Sequence, residues 1–278
     1  TGAWADGSLP EVTVSSSGLQ LGVSEMTQPV SILEGDALVR RREATLGGTL
    51  EGEPGIAASH FGAGASRPVI RGMDGPRVRV LSDGSQLQDA STVSPDHAVA
   101  AEPLLATQVE VLRGPSALVY GAGAVGGVVN LLDAKVPTAV PAKGYEGTAE
   151  MRAGSAARDA AAAVSLTGGS ANLAVHVEAA GRDAQDYRVG RGWTGGSRVD
   201  DSFSRTGSGS VGLSWVGSQG YLGMAVTRQN ARYGLPGHHH DFEGCHAHGS
   251  HLHCGSHGDH DDHDHDHADG GAAHGHAQ

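Results

Sequence analysis

Between residues 145 and 226 apolar side chains recur at every second position, in segments interrupted by glycine-rich or polar breaks. Residues 145–153 form one such segment, and 160–167 form the next, with Ala160, Ala162, Val164 and Leu166 on one face. Leu173, Val175, Val177 and Ala179 alternate with Asn172, Ala174, His176 and Glu178; Val211, Leu213 and Trp215, then Leu222, Met224 and Val226, repeat the pattern. A period of two predicts five strands, each with one apolar face. Segments of about ten residues have the length a tilted membrane strand needs, so the apolar face is assigned to lipid and the small or polar face to a lumen. His176 then faces the lumen, as a polar residue satisfied by its neighbours. Residues 168–171 and 217–220 read as tight turns, and 183–205 and everything after Arg232 as long connections. If the first strand runs outward, both long connections fall on the outside, as in outer-membrane barrels.

Upstream of residue 137 the periodicity is mixed. The segment from Val30 suggests a strand followed by a short helix that opens near Gly35 and Asp36. Residues 66–70 and 77–81 read as strands joined by a turn at 73–76, and Asp83-Gly84 closes a second turn. Val109-Glu-Val-Leu112 is a short strand broken by Gly114. Pro115 can open a helix, residues 116–120 fit one to two helical turns, and Gly121 supplies the stop. Gly126-Gly-Val-Val-Asn130 returns as a strand. Gly121, Gly123 and Gly126 satisfy the spacing of a dinucleotide fingerprint, but that motif needs a strand before it and a helix after it, and here the order is reversed. The compact α/β region spans about residues 18–140, the strands 141–232 and a polar segment 233–278; residues 1–17 form a small, polar arm.

The run from Val109 to Asn130, together with Arg67-Pro-Val-Ile-Arg71-Gly and Val78-Arg-Val-Leu81-Ser-Asp83-Gly84 upstream of it, resembles the plug signature of TonB-dependent outer-membrane receptors. The resemblance implies an α/β plug domain followed by the first strands of an antiparallel transmembrane β-barrel, which in such transporters has about 22 strands. Five strands cannot close around a plug, so the chain is expected to be an N-terminal fragment or a truncated gene product, with more amphipathic strands to follow. The resemblance also makes Glu11, Val12, Thr13, Val14 and Ser15 a TonB box, an alternating segment able to add to another protein's sheet in the periplasm. TonB, with ExbB and ExbD, would then supply energy from the inner membrane. Arg67, Arg71, Arg77, Arg79 and Arg113 are expected to pair with carboxylates on the barrel wall, as plug arginines do in the family, rather than to hold an anionic ligand.

The charge is uneven. The net charge of −12 argues against nucleic acid as a partner. After Arg232 there is no Lys or Arg, while eight Asp and Glu residues contribute −8 of that total. The same segment holds fourteen of the seventeen histidines and both cysteines. Its candidate metal ligands are His238, His239, His240, His246, His248, His251, His253, His257, His260, His263, His265 and His267. Imidazole, carboxylate and thiolate are the ligand set of Zn²⁺, although Cu²⁺ and Ni²⁺ take such ligands too. Without apolar residues for a core, the segment is expected to be disordered in the absence of metal. Cys245 and Cys254 are either thiolate ligands or a disulfide at the base of the segment. In the plug, Asp96 and His97 stand side by side after Pro95 and offer a second ligand pair.

Among TonB-dependent receptors the sequence is most similar to the zinc-uptake, ZnuD-like branch, which presents such an Asp-His pair at the plug apex and a histidine-rich external loop. The expected function is therefore TonB-dependent uptake of divalent zinc across an outer membrane, with the loop outside the cell and the arm in the periplasm. A receptor for another cargo (siderophore, haem, nickel or copper) and a surface metal-binding protein without transport are the alternatives. The sequence holds no nucleophile–base arrangement, and no enzymatic activity is expected.

Overall fold

The computed structural model describes residues 30–114, 117, 120, 121, 123–192 and 196–237, and the backbone of 245–248 and 251–254. Two units are present, residues 1–237 and 238–278, and each is described by itself. The predicted helical turn at 116–120 lies mostly outside the described residues, and the arm with its TonB-box segment lies wholly outside them.

The first unit begins with strand β1 (Val30–Glu34), helix α1 (Gly35–Arg41) and helix α2 (Leu46–Leu50). Then come β2 (Ile56–Ala58), β3 (Pro68–Ile70), β4 (Val78–Ser82), β5 (Ser85–Gln86), β6 (Gln108–Leu112) and β7 (Gly127–Leu132). Five of these strands form one sheet in the order β1-β6-β7-β4-β5, in which only the β4–β7 pair is parallel. Its core is aliphatic: Leu33, Leu38, Leu46, Leu50, Ile70, Val78, Val80, Val109, Val111, Val129 and Leu131 are buried together. The two helices are too short to be stable alone and depend on this packing. In α2, Thr45 caps the first turn by accepting the Gly48 N–H at 3.2 Å. Gly47 is required there, because a Cβ would lie 2.7 Å from the Arg67 carbonyl oxygen.

The buried Glu110 and Asn130 of the sheet are paired. Asn130 donates to Glu110 at 3.1 Å and accepts the Gly84 N–H at 2.9 Å, and Gln108 donates to Glu110 at 3.0 Å. The strand at Gly127–Leu132 follows the glycine cluster directly, as required if the GxGxxG spacing is not a dinucleotide site. The segments at 66–70 and 77–81 are strands joined by a turn, as expected, but they do not pair with each other. β3 pairs with β2, whereas β4 pairs with β5 and β7. Asp74 accepts the Gly75 N–H and starts a 3₁₀ turn at Gly75–Arg77, which sends the chain into a different sheet.

The second sheet contains β8 (Tyr145–Ala153), β9 (Ala160–Ser170), β10 (Leu173–Ala184), β11 (Ser204–Gly217) and β12 (Gly220–Tyr233), each antiparallel to the next. The turns are tighter than the sequence predicts, because β9 runs through Gly168 and Gly169, leaving only Ala171 and Asn172 between β9 and β10. The faces are inverted relative to a water-soluble sheet. Val164, Leu166, Leu173, Val175, Val177, Val211, Leu213, Trp215, Leu222, Met224 and Val226 are exposed, while Ala161, Ala163, Ala174, His176, Glu178, Ser210 and Ser214 are buried. His176 is held by Thr167 at 2.8 Å and by Glu178 at 3.2 Å, so it is the satisfied inward polar residue expected.

The plug seats against the inner face of this wall. Leu104 and Leu105 cluster with Ala161, Ala163 and Ala180. The segment leaving the plug lies across β11 and β12: Ser214 donates to the Pro137 carbonyl at 2.6 Å, and a Cβ on Gly223 would come 2.6 Å from Val136. For Arg67 and Arg79 the arginine expectation is corrected by these contacts. Among the described residues, Arg67 is paired inside the plug with Asp74 and Asp89, and Arg79 donates to Gln86. The pair that crosses to the wall is Arg42–Glu150, supported by Arg152 of the wall, which donates to the carbonyls of Val39 and Arg42. Arg67 lies in the interior, so burial lowers its pKa and internal carboxylates offset that cost.

At the β4–β5 turn, burial and the neighbouring Asp133 push the Asp83 carboxyl up to about 7. A raised carboxyl pKa means that the folded state favours the proton. The stabilisation it contributes is complete below the unfolded value near 3.8 and disappears as pH rises through about 7. Asp83→Asn keeps an acceptor for the Asp133 N–H and tolerates the positive φ of this position. In thermal unfolding of detergent-solubilised protein it should raise the midpoint at pH 8 and leave it nearly unchanged at pH 4; equal shifts at both would contradict this assignment.

Candidate metal site

The loop that carries Asp96 and His97 is fixed at both ends. At its base, Asp89 accepts the Ala100 N–H at 2.8 Å and meets Arg67 at 3.7 Å. At its tip, the Tyr233 hydroxyl accepts the Ala98 N–H at 2.8 Å and donates to the Asp96 carbonyl at 3.1 Å, straddling His97. Tyr233 is the last residue of β12 and packs against a second plug loop, where a Cβ on Gly64 would lie 2.5 Å from its ring. The chain enters the histidine-rich segment five residues after it. The part played by Tyr233 was not legible in the sequence, because its partners are more than 130 residues away.

Within the loop, His97 Nδ1 lies 3.0 Å from Asp96 Oδ1, which also accepts the Ser94 hydroxyl. Bonds from Ser94, then from His97, hold the Asp96 carboxyl below its usual range, so it stays ionised through any neutral or mildly acidic medium. A carboxylate on one ring nitrogen orients a histidine, the arrangement that supports metal-ligating imidazoles. His97 is half exposed, and its Nε2 is the nitrogen left to a cation. With Oδ1 engaged, Oδ2 is the oxygen Asp96 can offer. Among the residues whose side chains are described, no three His, Cys, Asp or Glu converge to share an ion. Tyr233→Phe should loosen this loop without unfolding the plug. Amide exchange at Ala98 should rise about tenfold, the equivalent of one lost hydrogen bond; unchanged exchange would show that the hydroxyl does not hold it.

Of the other predicted residues, Glu11, Val12, Thr13, Val14 and Ser15 lie outside the described residues, as do His238, His239, His240, His257, His260, His263, His265 and His267. His246 and His248 fall on β13 (Cys245–His248), and His251 and His253 on β14 (His251–Cys254), with Cys245 and Cys254 at the paired ends.

Residues 22–128 match the family model described as the TonB-dependent Receptor Plug Domain. A hemin receptor of Yersinia pestis is 29% identical over 119 residues, a match covering 42% of this chain and 17% of that protein. Among solved structures, the FpvAI–pyocin S2 complex aligns with a TM-score of 0.61 at 18% identity, over 79% of this chain and 27% of that one. The copper transporter OprC aligns at 0.58 with 20% identity, over 74% and 31%. The siderophore receptor PirA from Acinetobacter baumannii aligns at 0.56 with 20% identity, over 74% and 32%. At these identities the structural matches establish the fold, and the chain spans about a third or less of each of these proteins.

Proposed function

We propose that this chain, whose residues 22–128 match the TonB-dependent receptor plug domain, belongs to an outer-membrane receptor that takes up divalent zinc. The observation that carries the zinc reading is the Asp96–His97 pair, oriented for a cation and clasped by the strand that leads into the histidine-rich segment. The inverted wall supports membrane insertion. Tyr145, Trp215 and Tyr221 are all exposed near the short-turn end of the strands, where interfacial aromatics sit in outer-membrane barrels.

In this reading the histidine-rich segment lies outside the cell and raises the local concentration of metal through many weak contacts. His97 and Asp96 then take the ion with ligands from other parts of the receptor. TonB, energised by ExbB and ExbD, pulls on residues 11–15 and rearranges the plug. Unperturbed imidazoles lose their metal as pH falls through about 6.5, so capture by the tail should weaken between neutral and mildly acidic solution. Deleting residues 9–16 should abolish zinc accumulation by a zinc-starved strain while surface binding persists. Accumulation that survives the deletion would point to a surface binder without TonB-driven transport.

A second reading, another cargo, is favoured by the relatives named for hemin, siderophores and copper. Copper also binds nitrogen ligands more tightly than zinc. Competition settles this: if copper, nickel or haem is accumulated in preference to zinc at equal free concentration, the zinc assignment fails.

A further inference from the structure

Beyond its apolar rows, the outward face of the wall turns basic. On β12 that face runs Leu222, Met224, Val226, Arg228, Asn230 and Arg232, and on β11 it ends at Arg205. The register sets Arg232 directly opposite Arg205, and Arg228 opposite Gly209. All three arginines are exposed. Arg205 meets Asp183 of β10 at 3.1 Å, but among the described residues Arg228 and Arg232 have no carboxylate within ion-pair distance. Like charges directly opposite each other on a sheet repel, so strands that keep Arg205 beside Arg232 gain from an anion between them.

The position of the cluster says where that anion sits. From Leu222, opposite Trp215, to Arg232 the strand advances ten residues. At about 3.3 Å per residue and a tilt of about 40°, that is a rise of about 25 Å, the height of a barrel's apolar band. With Trp215 at one rim, Arg205 and Arg232 stand at the other, level with lipid headgroups, and Arg228 can extend its charge toward them along its apolar stem. The same face is hollow beside Asp183. Met151, Ala160, Ala162 and Gly181 line an open depression of about 640 Å³ whose edge includes Asp183, and it continues toward Val164 into another of about 350 Å³. The hollow exists because β9 and β10 present only alanine and glycine there.

We propose that this face binds one phosphate-bearing lipid, with an acyl chain in the depression and the phosphate among Arg205, Arg228 and Arg232. Guanidinium groups suit that task, since each can present two parallel N–H donors to phosphate oxygens. A lipid satisfies both halves of the surface, the apolar hollow and the cations beside it, whereas a free anion satisfies only the second. The inference rests on the reading that the wall is inserted in a membrane, and deepens it by giving one lipid a fixed place on that wall.

The test adds dioleoyl phosphatidic acid to the protein in an uncharged detergent and counts bound lipid by native mass spectrometry. One equivalent should bind ahead of the rest. Dioleoyl phosphatidylcholine, with the same chains, and inorganic phosphate should each bind more weakly. Arg228→Gln with Arg232→Gln should weaken the first equivalent about 25-fold, about fivefold for each charge. Arg40→Gln with Lys143→Gln, two exposed cations on α1 and ahead of β8, should leave it unchanged. Asp183→Asn should strengthen it, because that carboxylate competes with the phosphate for Arg205; a purely structural role for the cluster predicts no such gain. Equal losses from the two double variants, or equal affinity for the phosphatidylcholine, would overturn the site while leaving the wall in its membrane. Binding that emerges only after removal of residues 238–278 would assign the arginines to the acidic tail and overturn it too. Failure of the parent protein to float with phosphatidylcholine vesicles would instead remove the membrane reading, and the site with it.

Discussion

Gly212→Val should prevent the plug from seating on the wall. Gly212 is on the buried face of β11, and a Cβ there would lie 1.6 Å from the Lys135 carbonyl oxygen, well inside contact distance. The obstacle is backbone, and the segment behind it is held by the Ser214–Pro137 bond and the close pass at Gly223. Relief therefore requires the whole plug-to-wall connection to lift, at a cost of about 3 kcal/mol or more, the severe end of overpacking. Gly207→Val is the matched control, since Gly207 lies on the same strand with open space around its Cβ position. The measurement is protease cleavage within residues 134–144 in outer-membrane preparations. The Gly212 variant should be cut rapidly, the Gly207 variant and the parent slowly. Equal protection of all three would mean that the connection does not pack as described.

His97→Ala should lower zinc accumulation by about 10–100-fold at limiting metal, the range seen when a metal site loses a supporting or ligating group. Asp96→Asn should fall in the same direction, because it removes the charge that orients the imidazole while leaving the loop held by Tyr233 through backbone groups. His60→Ala serves as a control. His60 is an exposed histidine bonded to Glu51 at 2.8 Å, and its loss should leave uptake unchanged. Normal uptake by the His97 variant would show that the ion does not pass through this loop. A loss shared by all three variants would trace the effect to general destabilisation.

The strands of the wall were legible because its exposed and inner faces take opposite residue types at alternate positions. Each of Val164, Leu166, Leu173, Val175, Val177, Val211, Leu213, Leu222, Met224 and Val226 is exposed on the predicted face. Turn boundaries were less legible, because glycines at 168 and 169 fit a strand as well as a turn, and pairing with β10 decides in favour of the strand. Arg67 and Arg79 were assigned to the wrong partners for a related reason. Charge reveals that an arginine needs a carboxylate, but not which one the fold brings near. Arg67 found Asp74 and Asp89 within its own domain, and the bridge to the wall was made by Arg42 and Glu150.

From sequence alone, then, come the alternating wall, the glycine-punctuated plug signature and the concentration of histidines after residue 237, since each depends on residue type at short spacing. Tertiary structure alone decided that Tyr233 clasps the Asp96–His97 loop and that the connection at residues 135–137 crosses Gly212 and Gly223. These are contacts between positions far apart in the chain or set by strand register, and no local preference encodes a partner at that distance.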